Sequence, residues 1–254
     1  MGNAASKLEL RSYGATDVGR RRKVNQDAFL CDDVLGLWLV ADGMGGHAAG
    51  EVASRESVDA IYGMVKKAKR SLGDRFTDET AAAASRLLEG AVQSATYIVY
   101  AMAEIDAGMA GMGTTISAMM SFCEHLVVAQ VGDSRIYRLR DGEAIQLTED
   151  HTLVAWQVKQ GLITSAEANS ARHKNVITRA VGNRDYVQVD TAIYDMEFGD
   201  TYLLCSDGLH GYLTTGEIAT IAEPGGERAV RRFVELANDR GGKDNITAVL
   251  VEVL

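Results

Sequence analysis

Short apolar runs punctuate this chain, and most of them end in glycine or aspartate. Residues 37–41, 126–131, 202–205 and 246–253 carry most of the strand-forming signal. Each is rich in Leu, Val, Ile or aromatic residues and is bounded by turn residues, which predicts strands. A first strand is expected over 8–16, with Leu8, Leu10 and Ser12 alternating along it, and a polar turn over 17–27 follows. Strands at 28–31 and 35–41 are joined by a turn at Asp32-Asp33. From His47 the period changes: Val52, Ala53, Val58, Ile61, Met64 and Val65 recur at helical spacing. Lys66, Lys67, Lys69 and Arg70 close that helix, where cations suit its dipole. A second long helix is expected from Thr77 or Asp78 to about Asp106, with an acidic, capped start.

After a glycine-rich break at 108–113, strands are expected over 115–123, 126–131, 135–140 and 144–147. Asp141-Gly142 gives the hairpin turn between the last two. The stretch 149–180 changes character, with short helices at 152–160 and 165–171. Strands resume at 186–194 and 200–205, helices follow at 214–222 and 227–239, and an apolar strand at 246–253 ends the chain. This order is neither a strict βαβ alternation nor an all-β meander. It predicts an α+β fold: a largely antiparallel sheet or sandwich flanked by helices. Pro224 is the lone proline and no Gly/Ser/Pro-rich linker interrupts the chain, so 1–254 is expected to form a single domain.

Composition narrows the function. Apolar residues make up 46% and charged residues 24%, as in a protein with a substantial core. A formal charge of −9 argues against a nucleic-acid partner, because phosphate contacts need a basic face. Cys31, Cys123 and Cys205 are scattered and odd in number, with neither a zinc spacing nor a disulfide framework, as expected of buried thiols in a reducing, cytoplasmic compartment. No run is long enough for a membrane span, and no secretory leader is expected. Met1-Gly2-Asn3-Ala4-Ala5-Ser6 matches the N-myristoylation pattern, which has meaning only in a eukaryotic cell; a small polar start is the favoured reading.

The aspartates carry the chemistry. Asp42 ends the apolar run 37–41 and is followed by Gly43, Gly45 and Gly46. Asp133 ends 127–131 with Gly132, Asp207 ends 202–205 and precedes Gly208, and Asp244 stands just before 246–253; Asp27 lies at the start of the second strand. In antiparallel neighbours one strand's end and the next strand's start share an edge of the sheet, so these carboxylates can meet at one rim. A single Asp-Gly at a strand end is ordinarily a turn, but four of them at strand termini form a pattern. Clustered like charges need a cation among them. An all-oxygen set without Cys or His selects Mg²⁺ or Mn²⁺ over zinc or copper. The basic run Arg20 to Lys23 is by itself a solvated face; beside such a centre an arginine suits a phosphate.

Together, Arg22-x-x-Asn25-Gln26-Asp27, Ala41-Asp-Gly-Met-Gly-Gly-His47, Gly113-Thr-Thr115, Val131-Gly-Asp-Ser-Arg135, Leu147-Thr-Glu-Asp-His151, Ser206-Asp-Gly208 and Asp244-Asn-Ile246 resemble the protein phosphatase 2C family of metal-dependent Ser/Thr phosphatases, in its bacterial form. The motifs occur in the family's order from about Asp17 to Val251. The resemblance implies a β-sandwich with helix pairs on both outer faces (four layers, α/β/β/α) and a dinuclear Mn²⁺ or Mg²⁺ centre. By that analogy Asp42 bridges both ions and the Gly43 carbonyl holds one, while Asp207 and Asp244 complete the other ion's shell. Asp27 would bind metal waters, Asp133 would join Asp207 at a third, weaker ion, and Arg22 would hold the substrate phosphate. The stretch 149–180 matches the family's flap. The implied reaction is hydrolysis of phosphoserine or phosphothreonine by a hydroxide activated between two metals, with no phosphoenzyme. Implied partners are phosphorylated proteins and an opposing Ser/Thr kinase, with the enzyme a monomer.

Two positions depart from the family's eukaryotic branch. Met44 stands where that branch has a histidine assigned as general acid, and Gln26 stands where some members have Glu. His47 lies nearby and reads as a structural residue at the helix start. A water could protonate the leaving group instead. Two rivals remain: an inactive regulatory module on the same fold, whose sign would be a missing metal aspartate, and a phosphatase of partner-switching regulators, which usually carries sensory domains.

Overall fold

The computed structural model describes residues 8–46 and 49–254. The myristoylation-like start and His47 lie outside the described residues. In chain order the strands are β1 (Leu10–Asp17), β2 (Asp27–Asp32), β3 (Leu37–Met44), β4 (Gly113–Thr114), β5 (Ile116–Phe122), β6 (His125–Val131), β7 (Arg135–Arg140), β8 (Glu143–Gln146), β9 (Asp190–Asp195), β10 (Thr201–Cys205) and β11 (Ile246–Val253). The helices are α1 (Ala49–Ala68), α2 (Asp78–Ile105), α3 (Leu153–Lys159), α4 (Ser165–Ser170), α5 (Asp207–His210), α6 (Thr215–Ala222) and α7 (Gly226–Asp239). One sheet has the order β1-β11-β10-β7-β8; the other runs β2-β3-β5-β6-β9, with β4 paired to the end of β3. Among the described residues every ladder is antiparallel.

The alternation of side chains along a strand explains the layers. Trp38 and Val40 of β3 meet Tyr202, Leu204, Val249 and Val251 of the facing sheet in an apolar layer between the sheets. Leu37, Leu39 and Ala41 point the other way and pack with Ile61, Val65, Leu88 and Val92 of α1 and α2. On the opposite side Leu203, Cys205, Ala248 and Leu250 are covered by Ile218 and Ile221 of α6 and by Val230 and Phe233 of α7. Strands covered on both faces need apolar residues at consecutive positions, which is why the runs are unbroken. The result is the expected α/β/β/α sandwich.

Differences from the expected elements have local causes. The strand expected from 186 begins at Asp190, because the backbone just before it is held by α2: the Gln93 side chain donates to the Asp185 carbonyl at 3.2 Å and accepts from the Val187 N–H at 3.3 Å. Helix α1 stops at Ala68 and tightens into a short 3₁₀ turn, Lys69–Leu72. Lys69 therefore does not serve the helix dipole. Its ammonium donates to the carbonyls of Leu35 and Gly36 and to Ser121 Oγ, pinning the β2–β3 turn. Across 149–180, an isolated bridge between Thr152 and Ile177 closes the segment that carries α3 and α4, and the His151 N–H donates to the Gly132 carbonyl of the body at 2.9 Å.

Candidate metal centre

All the sequence-predicted aspartates arrive at one rim, from both sheets. Asp27 and Asp42 face each other as register partners at the start of β2 and near the end of β3. Asp207 opens the one-turn helix α5 directly after β10, and Asp244 precedes β11, which pairs with β10. Asp133 lies in the turn between β6 and β7, where Gly132 takes a φ of +98° that favours glycine. Gly43 is required for another reason: a Cβ there would lie 2.1 Å from the Gly50 carbonyl oxygen and 2.5 Å from that of Gln26. Only a bare backbone lets α1 begin this close behind Asp42.

The carboxylates repel one another in a poorly solvated place. Burial, then the charges of Asp27, Asp207, Asp133 and Asp244, pushes Asp42 well above the ordinary carboxylate range. Asp27 is pushed up to about 6, chiefly by burial and in spite of two hydroxyl donors. Asp133 rises to about 7 through burial and the charges of Asp207 and Asp150. Asp207 is raised by burial and by Asp244, against the pull of a hydrogen bond with Asp42 and the Arg22 guanidinium. Burial and mutual repulsion of this kind mark sites built to receive positive charge.

Arg22 is exposed and reaches the cluster through Asp244, its Nη2 donating to Oδ2 at 2.7 Å. Asn245, next to Asp244, clamps the intervening loop. Its Oδ1 accepts from the Gln26 N–H at 2.8 Å, and its Nδ2 donates to the Val18 and Val24 carbonyls at 3.0 Å each. One residue pair thus fixes both the Asp244 carboxylate and the arginine loop. Asp42 is held by its backbone: its N–H donates to Thr115 Oγ1 at 2.9 Å, and its carbonyl accepts from Thr114 Oγ1 at 2.9 Å. The Asp133 turn is braced by buried polar groups. His210 Nε2 donates to the Asp133 carbonyl at 2.9 Å, and His151 Nδ1 accepts from the Gly132 N–H at 3.1 Å. Burial lowers His210 to about 4, so its ring is neutral at pH 7.

The sequence reading named the aspartates but gave no role to Ser206, Thr247, Asn245, Thr115 or His210. Ser206 Oγ and Thr247 Oγ1 both donate to Asp27 Oδ2, at 2.8 and 2.6 Å. Their signal was adjacency, since Ser206 precedes Asp207 and Thr247 follows Asp244-Asn245.

The donor set fits a hard divalent cation. With one oxygen of Asp27 bonded twice, its other oxygen, Oδ1, is buried without a hydrogen-bond partner, and so is Asp207 Oδ1. Orphaned buried carboxylate oxygens are costly unless something positive completes them. Among the described residues no three acidic, His or Cys side chains close into a ready-made cage.

Comparison with known proteins gives the family and the fold. Residues 17–254 match the family described as Protein phosphatase 2C. The serine/threonine phosphatase stp of Listeria innocua is 37% identical over 248 residues, covering 93% of each chain. The structure of the S. agalactiae serine/threonine phosphatase is similar with a TM-score of 0.86 at 35% identity, over 96% of this chain and 100% of that one. The catalytic domain of the serine/threonine protein phosphatase PstP, solved in complex with two manganese ions, gives a TM-score of 0.84 at 34% identity, over 97% and 99%. With the match running over nearly its whole length, this chain belongs to the protein phosphatase 2C family.

Proposed function

We propose that this protein is a metal-dependent phosphatase that hydrolyses phosphoserine and phosphothreonine on proteins. The observation that carries the reading is the rim where Asp27 and Asp207 each keep a buried oxygen without a partner beside Asp42 and Asp244. Asp42, the Gly43 carbonyl, Asp207 and Asp244 would hold Mn²⁺ or Mg²⁺, with Asp27 and Asp133 behind them. Two such ions, when bound, lower the pKa of water and offset the charge on the phosphoryl oxygens. Arg22 holds its guanidinium at the open edge, and Asp244 orients it for a bidentate grip on phosphate. Ser206 and Thr247 keep Asp27 turned toward the rim. Cysteine chemistry is disfavoured: burial pushes the Cys31 and Cys205 thiols up to about 11 and 12, and burial with the charges of Asp74 and Glu124 raises the exposed Cys123 thiol as well. Met44 offers no proton, so the leaving alkoxide takes one from water at the open rim.

The reading extends to a single catalytic domain over 1–254 with a flap at 149–180, acting as a monomer in the cytoplasm on the products of a Ser/Thr kinase. The apolar layer shared by both sheets supports the single domain. No helix of the described residues is long and apolar enough to cross a membrane.

The test is p-nitrophenyl phosphate turnover with Mn²⁺ or Mg²⁺, with and without EDTA, beside Asp207→Ala. Turnover that needs metal and disappears in the variant supports the proposal. Inactive metal-loaded wild type would leave a binding module on a phosphatase fold, whereas EDTA-resistant turnover or a fully active variant would overturn the metal mechanism assigned to this rim.

A further inference from the structure

Beside the rim lies a recess of about 110 Å³ that the reaction itself does not use. Its walls come from three segments: Met44 at the end of β3, Gly111 to Gly113 where the chain enters β4, and Ile177 to Ala180 with Asn183 where the flap rejoins the body. It is continuous with the candidate centre through the backbone. Gly43 pairs with Thr114 and Met44 with Gly113, while Thr114 donates its hydroxyl to the Asp42 carbonyl. Thr114 and Val181 exchange two backbone hydrogen bonds, at 3.0 and 2.9 Å, which fixes the flap-side wall. Gly113 forms the floor: a Cβ there would lie 2.9 Å from the Val181 carbonyl oxygen, 3.7 Å from Ala180 Cβ and 3.8 Å from Met44 Cγ.

The lining says what the recess takes. Met44, Met112, Ile177 and Ala180 are apolar, and Met112 is fully buried. Arg179 also borders it, but its guanidinium is committed to Asp190 Oδ1 at 2.7 Å and contacts His151 Nε2 at 3.1 Å. Thr178 Oγ1 is likewise used, donating to the His151 carbonyl at 3.0 Å. The walls therefore offer mainly apolar contact and no uncommitted charge, with the exposed Asn183 as the remaining polar side chain. A cavity of roughly 150 Å³ holds benzene, so a recess this size takes about four carbon atoms. That is a leucine or isoleucine side chain, larger than a methyl group and smaller than an aromatic ring.

Position decides whose side chain it is. Met44 lies two residues beyond Asp42, about 7 Å along an extended strand. A substrate whose phosphate sits at Asp42 has residues one or two places away within that reach. Resting on the phosphatase reading, we infer that this recess is a specificity pocket for an aliphatic side chain flanking the phosphorylated residue of the protein substrate. Met44, at the position of the missing proton donor, then shapes substrate choice.

The experiment compares phosphopeptides carrying Gly, Leu or Phe at each position from two before to two after the phosphoserine, with p-nitrophenyl phosphate as a substrate that has no flanking residue. Wild type is expected to prefer Leu over Gly at one of these positions by about tenfold in kcat/KM, the scale of discrimination by a small apolar pocket, and to disfavour Phe there. Ala180→Phe, which fills the recess, should reduce that preference below twofold while p-nitrophenyl phosphate turnover stays as in wild type. Ile177→Ala, which enlarges it, should admit Phe at the same position; it decides the matter if Ala180→Phe does not fold. A flat panel in active wild type, or a Leu preference that survives a folded Ala180→Phe, overturns the pocket alone. Loss of p-nitrophenyl phosphate turnover in metal-loaded wild type overturns the phosphatase reading beneath it.

Discussion

Strand β10 has an aspartate at each end, and the two are treated oppositely. Asp200, just before the strand, has a fully buried side chain with both oxygens taken. Arg140 donates from Nε to Oδ1 at 2.6 Å and from Nη2 to Oδ2 at 2.7 Å; Tyr202 Oη and the Glu197 N–H also donate to Oδ2, each at 2.9 Å. Burial works against its charge, but the hydrogen bonds from Arg140, the Glu197 N–H and Tyr202 hold the carboxyl below its ordinary value. Asp207, just after the strand, has a buried oxygen without a partner and a raised pKa. The same residue type on the same strand is complete at one end and incomplete at the other. Incompleteness of that kind costs stability, so its presence points to a ligand that supplies what the chain does not.

The widest separation between the two ends should come from Asp207→Asn. Removing this carboxylate is expected to lower kcat/KM at least about a thousandfold, about 4 kcal/mol of transition-state stabilisation. The Tm of the EDTA-treated protein should hold or rise, because one repelling charge is gone. A metal-free Tm that instead drops sharply would mean that Asp207, like Asp200, is a structural anchor.

Next in size is Asp200→Ala, which strands Arg140, the Tyr202 hydroxyl and the Glu197 N–H. Breaking a buried ion pair from one side costs about 3–5 kcal/mol, or roughly 10 °C in Tm for a chain of this size. Activity per folded molecule should be unchanged below the new transition. A loss of kcat/KM in fully folded variant would show that the far end also shapes the rim.

The two ends should also respond to pH with opposite signs. In metal-free protein Asp27, raised to about 6, and Asp133, raised to about 7, keep protons that the unfolded chain has released. Stability of the EDTA-treated protein should therefore fall as pH rises from about 4 to 7, by on the order of a few kcal/mol. Asp200, with its lowered pKa, stabilises above the ordinary carboxylate range, and its contribution is lost as pH falls below it. Saturating Mn²⁺ should flatten or reverse the first trend, since it requires the ionised carboxylates. Urea titrations across pH, with and without metal, measure it, and a metal-free stability that climbs from pH 4 to 7 would break the comparison.

What the chain reveals unaided follows the same division. The rim aspartates stand out in sequence because each closes or opens an apolar run; antiparallel pairing brings Asp27 to Asp42 and Asp207 towards Asp244, while the meeting of the two pairs depends on how the sheets face each other. Unbroken runs such as 37–41 point to strands covered on both faces, and the order of elements to a sheet or sandwich flanked by helices, while the four-layer order is what the family resemblance implies. Partners distant in sequence are another matter. Nothing local to Asp27 announces that Ser206 and Thr247 will bond one of its oxygens, nor does Asp200 signal Arg140. Val187 looks like strand, yet α2's Gln93 takes its N–H. Lys69 looks like a helix-terminal charge until the β2–β3 turn folds beneath it. Periodicity reports which face is buried; it is silent about which polar atoms will meet, because those meetings depend on packing between elements.

Lys69 gives the finest version of the comparison, because β3 repeats the polarity of β10. Near its end at the rim the strand carries Asp42 and Gly43; at its start Lys69 is half-buried and bonded to the Leu35 and Gly36 carbonyls and to Ser121 Oγ. Lys69→Met keeps the aliphatic stem and removes the donors. Three acceptors lose a charged partner, yet the turn lies close enough to the surface for water to replace part of it, so the cost should be about 1–3 kcal/mol. The expected result is a lower urea midpoint at unchanged m-value, with kcat/KM for p-nitrophenyl phosphate within twofold of wild type. If turnover instead falls along with stability, the start of β3 is mechanically coupled to Asp42. The two ends of the strand would then form one functional unit, and the division between a finished end and an end awaiting its metals would have to be redrawn.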